Sequence, residues 1–247
     1  MRLYYSGIYF IILSMEPNRL SKILAKAGVA SRRAAEFLIF EGKVRVNDEV
    51  VTVPQTIVDP GKDKIYVEDH PVTLSDEKVY YILNKPKGFI CSNKPMGRKK
   101  LVIDLFTEVK ERLFTIGRLD RDTTGLLLLT NDGHFAQEVI HPSKNISKEY
   151  LVKTQQEITH EHLQELSKGT LIEGKWIRPA KVTKVRRGTL KIVVKEGKKR
   201  EVRLMVQNAG LTLLSLSRIR IGGLKLGDLN EGEWRALTEK ERALIFA

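Results

Sequence analysis

Residues 117–130 read Gly117-Arg118-Leu119-Asp120-Arg121-Asp122-Thr123-Thr124-Gly125-Leu126-Leu127-Leu128-Leu129-Thr130. The first half is a polar loop, with two Arg, two Asp and two Thr bracketed by glycines. The second half, Gly125 to Thr130, is an apolar run of strand length that anchors the loop. Working outward, Leu113 to Ile116 reads as a second strand on the loop's other side, and Asp132 can cap a helix through Ile140. Val79 to Asn84 is a strand ended by the turn Lys85-Pro86-Lys87-Gly88, and Lys148 to Thr154 is another. His160 to Lys168 is helical, with Leu163 and Leu166 inward. Ala180–Val185 and Thr189–Val194 form a hairpin around Arg187-Gly188. Arg200 to Ala209 is a helix ended by Gly210, followed by a strand through Ile219, and Thr238 caps a last short helix. Strands joined by turns, with helices interleaved but no regular βαβ alternation, indicate an α+β fold with a mostly antiparallel sheet.

Upstream lies a smaller, differently built region. Asn18 is expected to cap a short helix carrying Leu20, Ile23, Leu24 and Ala27, stopped by Gly28. Ser31 caps a second, with Ala34, Ala35, Leu38 and Ile39 apolar and Gly42 after it. Val44 and Val46 then alternate with Arg45, and Asn47-Asp48 turns the chain into Val50-Val51. Lys22, Lys26, Arg32, Arg33, Lys43 and Arg45 crowd into these few turns, so helices with one apolar face leave several of them exposed together. Residues 68–78 (EDHPVTLSDEK) are polar, acidic and contain Pro71, which reads as a linker. The expected division is therefore an extension over 1–14, a small helical/β domain over 15–67, the linker 68–78, and a larger domain over 79–247. The extension is aromatic and aliphatic from Leu3 to Leu13. It lacks a cleavage site and is short for a spanning helix, so Met15 is the expected natural start.

Composition narrows the function classes. The 247 residues carry 43 Lys and Arg against 30 Asp and Glu, a net charge of +13 and a pI near 9.7. That excess fits a polyanionic partner. One cysteine, Cys91, excludes a disulfide framework or a Cys-rich zinc cluster and suits a reducing, cytoplasmic compartment. No stretch of about 18 apolar residues exists, so nothing is expected to span a bilayer, and the excess charge by itself fits either nucleic acid or an acidic membrane surface. His134, His141, His160 and His162 lack metal-ligand spacing and are assigned no chemistry. Lys181 to Arg203 holds ten basic residues against Glu196 and Glu201, a solvated or RNA-facing surface.

The 117–125 loop admits several chemical readings. A carboxylate between guanidinium groups is favoured in its charged form, which suits a nucleophile, base or electrostatic stabiliser. The bland alternative is a loop tied by Arg–Asp pairs. Asp120-x-Asp122-x-Thr124-Gly125 partly matches a calcium loop, but the twelfth position is Asn131 where a bidentate Glu is needed. The same residues match the D-x-D-x-T motif of haloacid-dehalogenase-like phosphatases. That motif needs an apolar strand leading into the first Asp, and here Gly117 and Arg118 interrupt it.

A third reading covers far more of the chain. The run Arg19-Leu20-Ser21-Lys22-Ile23-Leu24-Ala25-Lys26-Ala27-Gly28, with Ser31-Arg32-Arg33-Ala34 and Gly42-Lys43-Val44-Arg45-Val46-Asn47, resembles the small RNA-binding domain named after ribosomal protein S-four. Gly117-Arg118-Leu119-Asp120, with Thr124-Gly125-Leu126-Leu127-Leu128-Leu129-Thr130-Asn131-Asp132-Gly133, resembles the signature of RNA pseudouridine synthases, in the ribosomal RNA branch that carries such a domain. Further segments fall in that family's order: Leu83-Asn84-Lys85-Pro86-Lys87-Gly88, His141-Pro142, Lys148-Glu149-Tyr150-Leu151-Val152, Glu196 to Arg203, and Gly232-Glu233-Trp234-Arg235-Ala236-Leu237.

The resemblance implies isomerisation of a uridine in ribosomal RNA to pseudouridine, without cofactor or metal. It implies that Asp120 is the essential aspartate, Arg203 the arginine that pairs with it, and Tyr150 the active-site tyrosine. Arg118 is then the group that fills the space left by a flipped base. Leu204, where several relatives carry a second arginine, becomes a wall of the uracil pocket. Lys22, Lys26, Arg32 and Arg33 become phosphate contacts that position the RNA. The Gly-Glu-Trp-Arg pattern favours the large-subunit (23S) synthases over the small-subunit one. The expected partner is ribosomal RNA, free or in an assembling subunit, and the expected state is a monomer. The rival from another class is a catalytically silent RNA-binding or ribosome-assembly factor on the same fold.

Overall fold

The computed structural model describes residues 16–74 and 77–247, arranged as two compact units that divide between Glu77 and Lys78. The expected extension over 1–14 lies outside the described residues.

The first unit packs helices Leu20–Lys26 and Arg32–Phe40 with a four-stranded antiparallel sheet. The sheet runs Glu49–Val50, Val44–Val46, Ile65–Val67, His70–Pro71. Leu20, Ile23, Leu24, Ala35, Ile39, Val44, Val58 and Ile65 form its core. Ser31 accepts a hydrogen bond from the Ala34 amide, capping the second helix as expected. Asn18 does not cap the first. Its side chain accepts from the Arg19 amide, and residues 18 and 19 pair with Val58 and Ile57 as a short β ladder. The helix's first amides go instead to loop carbonyls, Leu20 N to Thr56 O at 2.8 Å and Ser21 N to Pro54 O at 3.5 Å. Helix N-termini need acceptors for their open amides, and here tertiary contacts supply them. The segment read as a linker is also more structured than expected. His70–Pro71 is a strand paired to Ile65–Val67, and Val72 and Leu74 pack on the first unit's core. Those two apolar side chains were masked by the polar composition around them.

The second unit is built on a nine-stranded sheet, as the α+β reading with a mostly antiparallel sheet expected. Its path is Lys181–Arg186, Thr189–Val194, Lys148–Thr154, Leu213–Ile221, Thr124–Thr130, Tyr80–Lys85 and Trp234–Ala236. Phe114–Ile116 and Leu224–Lys225 add to it off this path. One pairing is parallel, between Leu213–Ile221 and Thr124–Thr130. Leu126 to Leu129 are all buried because helices and loops cover both faces there. Leu126 and Leu128 join the core with Phe135 and Val139, while Leu127 and Leu129 join the core with Phe106 and Leu119. A strand covered on both sides loses its apolar/polar alternation, which explains the four consecutive leucines. Each buried leucine contributes about 1.5–3 kcal/mol. A third core, around Val152, Leu190 and Ile192, holds helices His160–Lys168 and Glu201–Asn208 against the other half of the sheet.

Candidate active site

Asp120 sits in the loop that joins strands Phe114–Ile116 and Thr124–Thr130. That loop is held from below. Lys85, fully buried at the end of its strand, donates through Nζ to the carbonyls of Pro86 (3.0 Å), Arg121 (3.3 Å) and Thr123 (2.9 Å). Burial pushes the Lys85 amine below its ordinary pKa, against the pull of nearby Asp122, Glu231 and Asp120. The Arg121 carbonyl also accepts from the Gly88 amide, and the Thr123 amide donates to the Asp120 carbonyl. Cys91 Sγ lies 3.4 Å from the Leu119 amide and 3.5 Å from its carbonyl oxygen. The residue before Asp120 is thus fixed at both its backbone groups.

The partner of Asp120 comes from helix Glu201–Asn208. Arg203 Nε lies 3.5 Å from Asp120 Oδ2, an ion pair at Coulomb distance without the alignment of a hydrogen bond. Its Nη2 donates to Thr123 Oγ1 at 2.9 Å, tying the guanidinium to the same loop. Arg200, just before the helix and with φ of 58°, brings Nη1 within 4.0 Å of the same carboxylate oxygen. The Asp120 side chain remains one-third exposed, against 17% for Arg203. The aspartate is therefore the more exposed member of the pair, with the less exposed Arg203 guanidinium set against it.

Tyr150 is half-buried in strand Lys148–Thr154 and packs against two cores, one containing Leu119 and the other Val202. It therefore lies between the elements that carry Asp120 and Arg203. Leu204 is partly buried on the Val202 side, and Arg118 is exposed next to Asp120. Lys22, Lys26, Arg32 and Arg33 are exposed on the two helices of the first unit.

Sequence reasoning assigned no role to Lys85, Thr123, Arg200, Cys91 or Arg218. Arg218 is buried on strand Leu213–Ile221, in register with Gly125 on one side and Tyr150 on the other. Its Nε donates to the Leu126 carbonyl at 2.8 Å. Gly125 has φ of +102°, and a Cβ there would stand 2.2 Å from the Arg218 carbonyl oxygen, so only glycine lets the two strands meet at this row. The signal for Lys85 was present in Asn84-Lys85-Pro86-Lys87-Gly88, but nothing local shows which of its lysines turns inward.

The calcium reading of the loop finds little support in this geometry. Asn131, the twelfth position of a calcium loop, accepts a hydrogen bond from the Val79 amide. Among the described residues no group of three His, Cys, Asp or Glu side chains is placed to hold a metal ion. A cleft of about 380 Å³ lined by Leu105, Leu229 and Trp234 contains none of Asp120, Tyr150 or Arg203. Asp120 lies outside that cleft with its side chain one-third exposed.

Comparison with known proteins follows the same lines. Residues 79–208 match the family model of RNA pseudouridylate synthases, and residues 18–64 match the S4 domain. A Bacillus subtilis protein named ribosomal large subunit pseudouridine synthase B is 41% identical over 91% of this chain and 93% of its own length. A chloroplastic protein of Arabidopsis thaliana, named as a putative ribosomal large subunit pseudouridine synthase, is 46% identical over 92% of this chain; the match spans only 60% of that longer protein. A crystal structure of a pseudouridylate synthase superposes with a TM-score of 0.68 at 31% identity, covering 92% of this chain and 99% of that one. No helix among the described residues is long and apolar enough to cross a membrane.

Proposed function

This chain belongs to the RNA pseudouridylate synthase family, with an S4 domain preceding the synthase domain, and from that premise we propose that it converts one specific uridine of 23S ribosomal RNA to pseudouridine. The observation that carries the reading is the partly exposed Asp120 carboxylate paired with Arg203, itself tied to Thr123 of the same loop. In the isomerisation the N1–C1′ bond breaks, the uracil turns in place, C5 bonds to C1′, the hydrogen of C5 leaves as a proton, and N1 takes up a proton, so the product has the same atoms as the substrate. Asp120 supplies the carboxylate at the ribose, either attacking C1′ or removing a sugar proton; both roles need it ionised and close. Tyr150 lies against the uracil, Leu204 forms part of its wall, and the target base leaves its stack first, with Arg118 entering the vacated space. Lys22, Lys26, Arg32 and Arg33 grip phosphates and set the position of the RNA without reading its sequence.

The large-subunit assignment draws on the Bacillus and Arabidopsis relatives and on Gly232-Glu233-Trp234-Arg235. The same reading makes the protein a cytoplasmic monomer acting on free RNA or an assembling subunit, in keeping with one free thiol at Cys91.

The test is tritium release from ribosomal RNA labelled at C5 of uridine. Release from 23S fragments, reduced by about 10²–10⁴-fold or more in Asp120→Asn with affinity retained, is the expected result. Release from 16S RNA alone overturns the subunit assignment and keeps the chemistry. Absence of release from RNA and from immature particles leaves an RNA-binding assembly factor.

A further inference from the structure

Exposed aromatic side chains in a basic segment have a specific use in RNA-binding proteins, because every base has a face to stack on. The hairpin Thr170–Ile172 and Lys175–Ile177 presents such a group. Leu171 and Trp176 are direct cross-strand partners, 60% and 58% exposed, so they form one apolar face on the outside of the hairpin. Its other face, Thr170, Ile172 and Ile177, is buried.

Three features distinguish this patch from a scattered surface apolar pair. First, the indole is fixed: Trp176 Nε1 donates to the Lys168 carbonyl at 2.8 Å, at the end of helix His160–Lys168. Gly169, with φ of +89°, lets that helix end pass against the hairpin; a Cβ there would meet the Ile177 carbonyl oxygen at 2.3 Å. Second, the hairpin shares its core with the Arg203 helix. Ile172 and Ile177 pack with Val202, Met205 and Val206, and Asn208 donates to Thr170 Oγ1. Third, the chain segment that holds the hairpin is cationic. Residues 165–187 hold seven Lys and Arg against Glu165 and Glu173. Lys168 pairs with Glu165, and Lys184 and Arg187 reach Glu157. Lys175, Arg178 and Lys181 are exposed and carry no ion pair among the described residues. The second tryptophan is differently placed: Trp234 stacks on Phe106 with centroids 4.7 Å apart.

We propose that Trp176, with Leu171 beside it, is a pre-oriented stacking platform for an unpaired nucleotide of the RNA substrate, whose flanking phosphates meet Lys175, Arg178 and Lys181. The inference rests on the proposed RNA-modifying function and deepens it by adding a contact outside the Asp120 constellation. A rigid indole loses little freedom on stacking, so the contact favours binding over turnover.

The experiment compares wild type, Trp176→Ala and Trp176→Phe as full chains, using 23S transcript fragments for filter binding, tritium release and indole fluorescence. Trp176→Ala is expected to bind RNA about ten-fold more weakly, raising KM and leaving kcat at saturating RNA intact. Trp176→Phe keeps most of the affinity but loses the quenching of indole emission that RNA produces in the wild type. Equal affinity in Trp176→Ala, or quenching that persists in Trp176→Phe, overturns the platform. So does a Trp176→Ala variant with altered self-association and unaltered RNA affinity, which assigns the face to a protein. Wild-type protein that binds no RNA overturns the functional reading as well, whereas wild-type turnover with an indifferent Trp176→Ala overturns the platform alone.

Discussion

Lys85 is buried with its amine spent on three backbone carbonyls, two of them in the loop that carries Asp120. Hydrogen bonds from a charged donor are the strong kind, and a buried carbonyl left without one costs about 1–3 kcal/mol. Lys85→Met is therefore expected to lower stability by about 2–4 kcal/mol and to reduce turnover more than RNA affinity, because the Arg121 and Thr123 carbonyls lose their common donor. Urea denaturation and C5 tritium release together check this; a variant with wild-type stability and turnover would sink the idea. Lys85 also shows where sequence reading stops. Asp120, Tyr150 and Arg203 stood out through motif resemblance, and the structure sets Asp120 against Arg203 and packs Tyr150 between their elements. Which lysine of Lys85-Pro86-Lys87 turns inward depends on strand register with Gly125, a partner 40 residues away in the chain. Cys91 and Arg218 are illegible for the same reason, since Cys91 meets Leu119 between two loops and Arg218 meets Leu126 between two strands, each pair far apart in the chain.

At the scale of elements, boundaries fell within a residue or two wherever a helix had its own cap or a strand its own turn. Asp132 accepts from the His134 and Phe135 amides, and Thr238 and Glu241 cap each other's amides as an S/T-x-x-E box. Elements that borrow their ends from elsewhere were missed or misread, such as the Asn18 cap and the three-residue strand Trp234–Ala236. The helix that carries Arg203 opens on an unusual first turn. Glu201 is buried there, accepts from the Lys198 amide at 3.2 Å, and has its pKa pushed up to about 7 by desolvation, against the pull of Lys148. In the folded chain it keeps its proton up to about pH 7, while the unfolded chain releases it in the ordinary carboxylate range. Between those limits the folded state binds more protons, so stability falls as pH rises and levels off above about 7. Glu201→Gln keeps an acceptor for Lys198 and removes the charge. Its expected effect is a gain of up to about 3 kcal/mol at pH 8 that shrinks toward zero near pH 4. Urea midpoints at several pH values measure it, and an equal loss at both ends of the range would refute the assignment.

Across the whole molecule the charge is divided unevenly. Residues 78–247 carry 33 Lys and Arg against 19 Asp and Glu, whereas residues 1–77 carry 10 against 11. The basic excess expected to meet RNA therefore belongs to the synthase domain, and the S4 domain contributes a local cluster, Lys22, Lys26, Arg32 and Arg33, on a chain segment of nearly balanced charge. Among the described residues the three cores of the second unit draw on 78–247, so that unit carries hydrophobic cores of its own. Each phosphate neutralised by a Lys or Arg adds roughly 0.7–0.9 to the slope of log affinity against log salt. Deleting residues 1–77 removes ten Lys and Arg, and the four of that cluster account for a fall in slope of about three to four. The 78–247 fragment is expected to bind 23S transcripts more weakly, keep most of its salt dependence, and still release tritium once RNA is saturating. Titrations of both forms between about 50 and 200 mM salt decide it. A fragment whose binding no longer responds to salt would place the electrostatic grip in the S4 domain after all, and the net charge of the synthase domain would then serve solubility instead of recognition.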